Sequence, residues 1–176
     1  MILSVESSLI KLTNAGLHLS EEFNLQDFIR IIVEESMELS CCDLSSLYIC
    51  EDPDKNNCNL DLVFKKGKYD IRKEFKYDNI LIDFLKENKE STILLERKKN
   101  IFIDLLLNQK MQSGIALPLI KEDFFLGVLI LNSKLPYNFN REKIDILDSF
   151  IKLVMSFFKY TGLVNDLKAY LKKIKY

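Results

Sequence analysis

Gln112-Ser-Gly-Ile-Ala-Leu-Pro-Leu-Ile-Lys-Glu-Asp-Phe-Phe-Leu-Gly-Val-Leu-Ile-Leu-Asn-Ser133 contains two apolar runs, Ser113 to Ile120 and Phe124 to Asn132, divided by the charged triplet Lys121-Glu122-Asp123. Each run is too short for an independent helix and is rich in Ile, Val and Leu, so the pair reads as a β-hairpin. Ile115, Leu117 and Leu119 fall on one face of the first run, and Ala116, Pro118 and Ile120 on the other. A strand apolar on both faces belongs inside a sheet, with material above and below it. Pro118 has no amide to donate, so it belongs where none is needed or beside an irregularity in the ladder.

Downstream of the hairpin, Asn140 is placed to cap a helix that the periodicity extends to about Ile174. Phe150, Leu153, Phe157, Tyr160, Val164, Leu167, Leu171 and Ile174 alternate at three and four residues, and Ile144, Leu147, Ile151, Val154 and Phe158 form a second stripe. One stripe can cover the sheet while the other meets a partner, which predicts a parallel homodimer. The alternative is a seam packed on the chain's own N-terminal helix. Gly162 leaves the continuity of the last helix open, because glycine costs roughly 1 kcal/mol in a helix interior.

Upstream, Ile2, Val5, Leu9, Leu12, Gly16 and Leu19 make a short a/d seam, grouped with the C-terminal stripe as a dimer interface. Asn24 is a candidate N-cap for a helix striped by Leu25, Phe28, Ile29, Ile32 and Leu39, with Ile31 and Val33 widening it. Ser45 to Cys50 reads as a first strand, residues 51–57 as turn chemistry, and Asn59 to Phe64 as a half-exposed edge strand. Between Tyr69 and Met111 the signal is weaker. Asn79 to Asn88 has helical spacing, Ser91 to Leu95 suits a short strand, and Asn100 to Gln109 suits another short helix.

Ser113, Ala116, Pro118 and Leu119, followed by Gly127, Val128, Leu129 and Leu131 and then a long amphipathic helix, resemble the C-terminal half of a GAF domain. That resemblance implies an α+β fold, related to PAS and profilin, with a five- to six-stranded antiparallel sheet. N- and C-terminal helices would cover one face, and short helices and loops would close a pocket on the other. It divides the chain into a signalling and dimerisation helix (residues 1–22), a sensor domain (23–160) and a coiled-coil extension (161–176). By the same resemblance the segment from Tyr69 to Met111 closes the pocket. Phe84, Phe102 and Met111 would line it, and Ser113 would offer a hydroxyl. Such a site favours a mostly apolar or aromatic ligand held by few polar contacts. The competing expectation is that the three apolar side chains simply fill the core.

Composition narrows the function. A chain of 176 residues at 48% hydrophobic content supports one core, and 25 basic against 26 acidic residues leave no electrostatic footprint for nucleic acid. The longest apolar run, Phe124 to Leu131, is far short of the roughly 20 residues that span a bilayer. No basic segment precedes the first apolar residues, so a cytoplasmic protein is expected. Cys41, Cys42, Cys50 and Cys58 form no CxxC pair and are expected to be reduced thiols. His18 is the one imidazole, set between Leu17 and Leu19 in a helical pattern, so neither a zinc site nor a Ser/His/Asp triad has support. Glu34-Glu35 and Asp145 with Asp148 are expected on solvated helix faces.

The resemblance adds exclusions. Asn100, Phe102 and Asp104 lie too close together for the cyclic-nucleotide constellation. No cysteine follows Cys58, against bilin attachment and against the sulfoxide reductases of this fold, and the closing segment has no haem-binding histidine. No cofactor is therefore expected. What remains is a non-catalytic regulatory sensor domain that binds an unidentified small molecule and relays it through dimeric helices to a linked or separate output domain. The alternatives are a ligand-free dimerisation module and a thiol-dependent reductase of the methionine sulfoxide type.

Overall fold

The computed structural model describes residues 10, 25–50, 59–76, 78–97, 101–122, 124–160 and 169; at residues 25, 27, 28 and 157–160 it describes the backbone alone. In chain order come α1 (Leu25–Ser40), β1 (Leu44–Cys50), β2 (Leu60–Lys66), β3 (Glu74–Phe75), α2 (Ile80–Asn88) and β4 (Thr92–Leu94). A 3-10 turn (Ile103–Leu105), β5 (Ser113–Lys121), β6 (Phe124–Ser133) and α3 (Arg141–Tyr160) follow. The strands form one antiparallel sheet in the order β3-β2-β1-β6-β5-β4.

The β5–β6 hairpin lies where its two apolar faces require it. Its register runs from Ser113↔Ser133 to Lys121↔Phe124, with Glu122 taking a positive φ of 56° in the turn. Ile115, Leu117, Leu119, Leu129 and Leu131 join the core beneath the long helices, whereas Ala116, Val128 and Ile130 join the core on the opposite face. Pro118 sits one residue before a register shift at Leu119/Ile120, and β4 has already ended opposite Ala116. The missing amide thus falls where the ladder is irregular.

Helices α1 and α3 pack on each other and on the sheet. Ile29, Ile32 and Val33 from α1 meet Leu147, Phe150, Ile151 and Val154 from α3 in one core. The Asn140 carboxamide accepts from the Lys143 amide at 3.0 Å and so caps α3, as the sequence predicts. Lys143 Nζ then donates to Ser40 O and to Asn138 Oδ1, both at 2.9 Å, fastening the start of α3 to the end of α1.

Several expectations change. The strand expected at an edge is second from it, because β3 pairs with Leu60 and Asp61; the rest of β2 remains half exposed. The helix expected over Asn100 to Gln109 shrinks to the 3-10 turn. Leu105, Leu106 and Leu107 are all buried, which no single helix face permits, and Leu106 is extended at φ −84°, ψ 97°. Glu35 is buried, not solvated. Cys41 and Cys42 are free, but Cys50 is disulfide-bonded, which overturns the expectation of four reduced thiols. Phe150 is already buried by its own chain and Leu153 is half buried. The rest of the expected dimer seam (Ile2, Val5, Leu9, Leu12, Val164, Leu167, Leu171 and the side chains of Phe157 and Tyr160) lies outside the described residues, as do Cys58 and the passage through Gly162.

Candidate functional site

The face of the sheet opposite α1 and α3 is covered by α2 and the segment 101–111, and polar side chains fasten that cover. Asn79 serves two roles at the start of α2. Its Oδ1 accepts from the Leu81 amide at 3.1 Å, capping the helix, and its Nδ2 donates to Asp104 Oδ2 at 2.8 Å. Arg72 Nη2 donates to Asp104 Oδ1 at 2.8 Å while the guanidinium lies 4.6 Å from the Phe75 ring centroid. Burial opposes ionisation of Asp104, but the hydrogen bonds from Arg72 and Asn79, with the charge of Arg72, outweigh it and hold the carboxyl below its ordinary value. Beneath this cluster Tyr48 donates its hydroxyl to Arg72 O at 2.7 Å, and burial pushes the phenol well above its ordinary range.

A second fastening comes from the centre of the sheet. Asn132 of β6 is fully buried; its Oδ1 accepts from the Leu107 amide at 2.9 Å and its Nδ2 donates to Leu105 O at 2.9 Å. Two backbone groups of an irregular segment are thereby satisfied by one side chain, which a buried loop requires. Gly114 makes the approach feasible, since a Cβ there would collide with Leu105 Cδ2 and Asn132 Nδ2. Arg97 completes the cover by donating to Met111 O at 2.9 Å and to Asn108 O at 2.7 Å.

Phe84 and Phe102 meet in this cover, with ring centroids 4.8 Å apart, and Phe84 remains 36% exposed. Met111 is fully buried in the same cluster. Ser113 is not with them. It shares the alternation of Ile115 and Leu117, which face the long helices, and its hydroxyl donates to Leu135 O at 2.6 Å. Thr92 is a polar group that the sequence does not single out. It pairs with Ala116 on the covered face, is 6% exposed, and its Oγ1 has no hydrogen-bond partner. A threonine inside an apolar strand is the only signal that could have marked it.

At the edge of the sheet a cavity of about 510 Å³ opens between α3 and the part of β5 that β4 leaves uncovered. Leu117, Pro118, Ile120, Ile151 and Met155 give it an apolar lining. Lys89, Glu90, Ser91, Asp148 and Lys152 surround that lining with alternating charge. Ser91 Oγ donates to Asp148 Oδ2 at 3.4 Å. Burial holds the Asp148 carboxyl above its ordinary value; Asp145 and Glu90 add to this, and Ser91 and Lys152 oppose it.

Two cysteines are free, Cys41 at the surface and Cys42 in the core. Cys42 is buried, donates to Leu44 O at 3.3 Å, and has its pKa pushed up to about 11, chiefly by burial, so it is almost wholly thiol at neutral pH. Among the described residues no group of three or more His, Cys, Asp or Glu is placed to hold a metal, and no helix is long and apolar enough to cross a membrane.

Six antiparallel strands in this order, with terminal helices on one face and a fastened cover on the other, match several solved structures. A GAF domain of an Acinetobacter phosphoenolpyruvate-protein phosphotransferase superposes with a TM-score of 0.67 at 16% identity, covering 91% of this chain and 98% of that one. The fold is that of a GAF domain. Two other kinds of GAF-fold protein are equally near. The free methionine-R-sulfoxide reductase of Neisseria meningitidis gives 0.66 at 14% identity over 86% and 88% of the two chains. The chromophore-binding domain of Stigmatella aurantiaca bacteriophytochrome gives 0.67 at 13% identity over 89% of this chain and 61% of that one. No family model and no curated protein matches the sequence. The GAF fold is thus shared here by a chromophore-binding domain and an enzyme, and the side chains must separate the two roles.

Proposed function

We propose that this GAF-fold chain is a non-catalytic regulatory sensor domain that binds a small molecule and passes the event to its terminal helices. The observation that carries this is the division of labour across one sheet. Strands β5 and β6 contribute alternate residues to a helical layer on one side and to a fastened cover on the other. A ligand seated under the cover would meet Phe84, Phe102 and Met111, with the Thr92 hydroxyl as its polar handle. Displacing the cover shifts the same strands on which α1 and α3 rest. The relay requires different ligand affinity for two helix arrangements, since equal affinity transmits nothing.

A thermal-shift screen over nucleotides, amino acids and aromatic acids tests the binding step. A stabilising compound whose effect disappears in Thr92→Val or Phe102→Ala supports it, and no stabiliser in any class counts against it. The dimer is a separate element. Leu167→Glu with Leu171→Glu is expected to give monomers in light scattering, and an unchanged mass would remove the seam. The domain is proposed to work in the cytoplasm, ahead of an output domain linked to it or separate.

A ligand-free dimerisation module is favoured by one specific observation, the dense filling of the covered face. Leu81, Ile82, Leu85, Leu105 and Met111 are each 1% exposed or less. A protein that dimerises normally while every ligand class fails in the screen fits that alternative. The raised pKa of Cys42 counts against its use as the nucleophile of a sulfoxide reductase. Free methionine-R-sulfoxide turnover that survives serine at all four cysteines would dispose of a thiol mechanism.

A further inference from the structure

We propose that the cavity between α3 and the uncovered end of β5 is a ligand site separate from the covered face, and that it takes a small zwitterion with an apolar tail, of the free amino-acid class. Three features of the cavity point to that chemistry. Its volume of about 510 Å³ lies within the range of small-molecule sites, roughly 300–1,000 Å³. Its lining is aliphatic, through Leu117, Ile151 and Met155, and suits an apolar tail. Its surround holds two lysines, Lys89 and Lys152, and two carboxylates, Glu90 and Asp148, so it favours neither a simple anion nor a simple cation. A molecule carrying an ammonium and a carboxylate a few atoms apart satisfies both signs together.

Asp148 is the natural partner for the ammonium. It is half-buried at the rim of the cavity, accepts from the Ser91 hydroxyl at 3.4 Å, and has a second oxygen left for an ammonium. Lys152, one helical turn further along α3, is the natural partner for the carboxylate. An added peptide strand is the other way to fill this place, because among the described residues β5 beyond Ala116 has no strand paired on that side. The chain disfavours it, since Pro118 offers no amide there and the shift at Leu119/Ile120 breaks the edge register. The position also has consequences. Lys89 is the left-handed C-cap of α2, so an occupant touches the cover through the α2–β4 turn and the helical layer through α3 at once.

The test is a methyl-NMR titration of the full chain with L-leucine, L-methionine and L-phenylalanine, and with isoamylamine and 4-methylvalerate, which carry the leucine tail with only one of the two charges. Saturable shifts of the Ile151, Leu117 and Met155 methyls by at least one amino acid, and much weaker ones by the amine and the acid, are expected. Asp148→Asn and Lys152→Gln should each weaken binding by about tenfold or more, the loss of one charge-assisted contact. Both positions are at the surface of α3, and an unchanged spectrum elsewhere confirms that the variants fold. Three outcomes overturn the proposal: no saturable shift with any amino acid, equal binding of the singly charged analogues, or shifts confined to Leu85, Leu105 and Met111. The last result would leave the sensor proposal standing with its ligand on the covered face.

Discussion

The two faces of the sheet are held by different physics. Under α1 and α3 the contacts are mainly apolar, with Ile32, Val33, Leu129, Leu131 and Val154 fully buried, and the Ser36–Ser45 hydroxyl pair at 3.2 Å is a buried polar exception. Over the opposite face the apolar filling is just as complete, but the irregular segment above it is fixed in place by Asn132, Arg72, Asn79 and Arg97. Aliphatic packing is non-directional and weakens gradually as helices tilt or slide. A side-chain hydrogen bond to a loop is made or unmade. One face is therefore held by many shared apolar contacts, and the segment over the other by a few discrete hydrogen bonds.

Four substitutions set these faces against each other. Leu129→Ala, in the centre of the helical face, should cost about 4 kcal/mol in chemical denaturation and lower protection from hydrogen exchange throughout the chain. Asn132→Ala should cost about 3 kcal/mol, because it strands the Leu107 amide and the Leu105 carbonyl. Its exchange signature should be local, with residues 102–107 opening while β1 and β6 stay protected. Uniform loss of protection in that variant would erase the distinction between the faces. Gly114→Ala should cost about 2 kcal/mol by pressing on Leu105 and Asn132, with the same local signature. Asp104→Asn should have the smallest effect at neutral pH, under about 1 kcal/mol for a partly exposed pair.

Asp104 has a further signature in acid. Its folded pKa lies below the ordinary value of 3.8, so its contribution is fully present above that value and disappears as pH falls through the lower folded pKa. Wild type should therefore lose stability in acid more steeply than Asp104→Asn. Parallel acid profiles would mean that the Arg72–Asp104–Asn79 cluster does not hold the cover.

The sequence marks the helical face much better than the covered one, for a definite reason. Alternation in Ser113–Asn132 and the three-four stripe through Leu147, Ile151 and Val154 are local patterns, and periodicity reads local patterns directly. Asn79–Asn88 and Ser91–Leu95 were visible for the same reason. The partners of Asn132 lie 25 and 27 residues away, so no window of sequence contains both halves of that fastening. Without it, Asn100–Gln109 has helical spacing; with it, the backbone stays extended at Leu106. The bonded state of Cys50 likewise depends on proximity in space. Ser113 is a different case, because its alternation with Ile115 already assigned it to the helical face. Met111, two residues earlier, joins the covered face after a turn in which its amide donates to Asn108 O at 3.1 Å. The cavity beside Asp148 was invisible because it exists only where β4 stops short of β5.

The tie from Lys143 to Ser40 and Asn138 gives the helical layer a pivot. Helix α3 leaves that pivot for 20 residues, or roughly 30 Å at 1.5 Å each. A tilt of about 5° about the tie is almost imperceptible at Asn140, yet it carries the far end of the helix through roughly 2.5 Å. A rotation too small to notice at the root becomes, by leverage alone, a displacement at the tip comparable to half of a neighbouring side chain's reach.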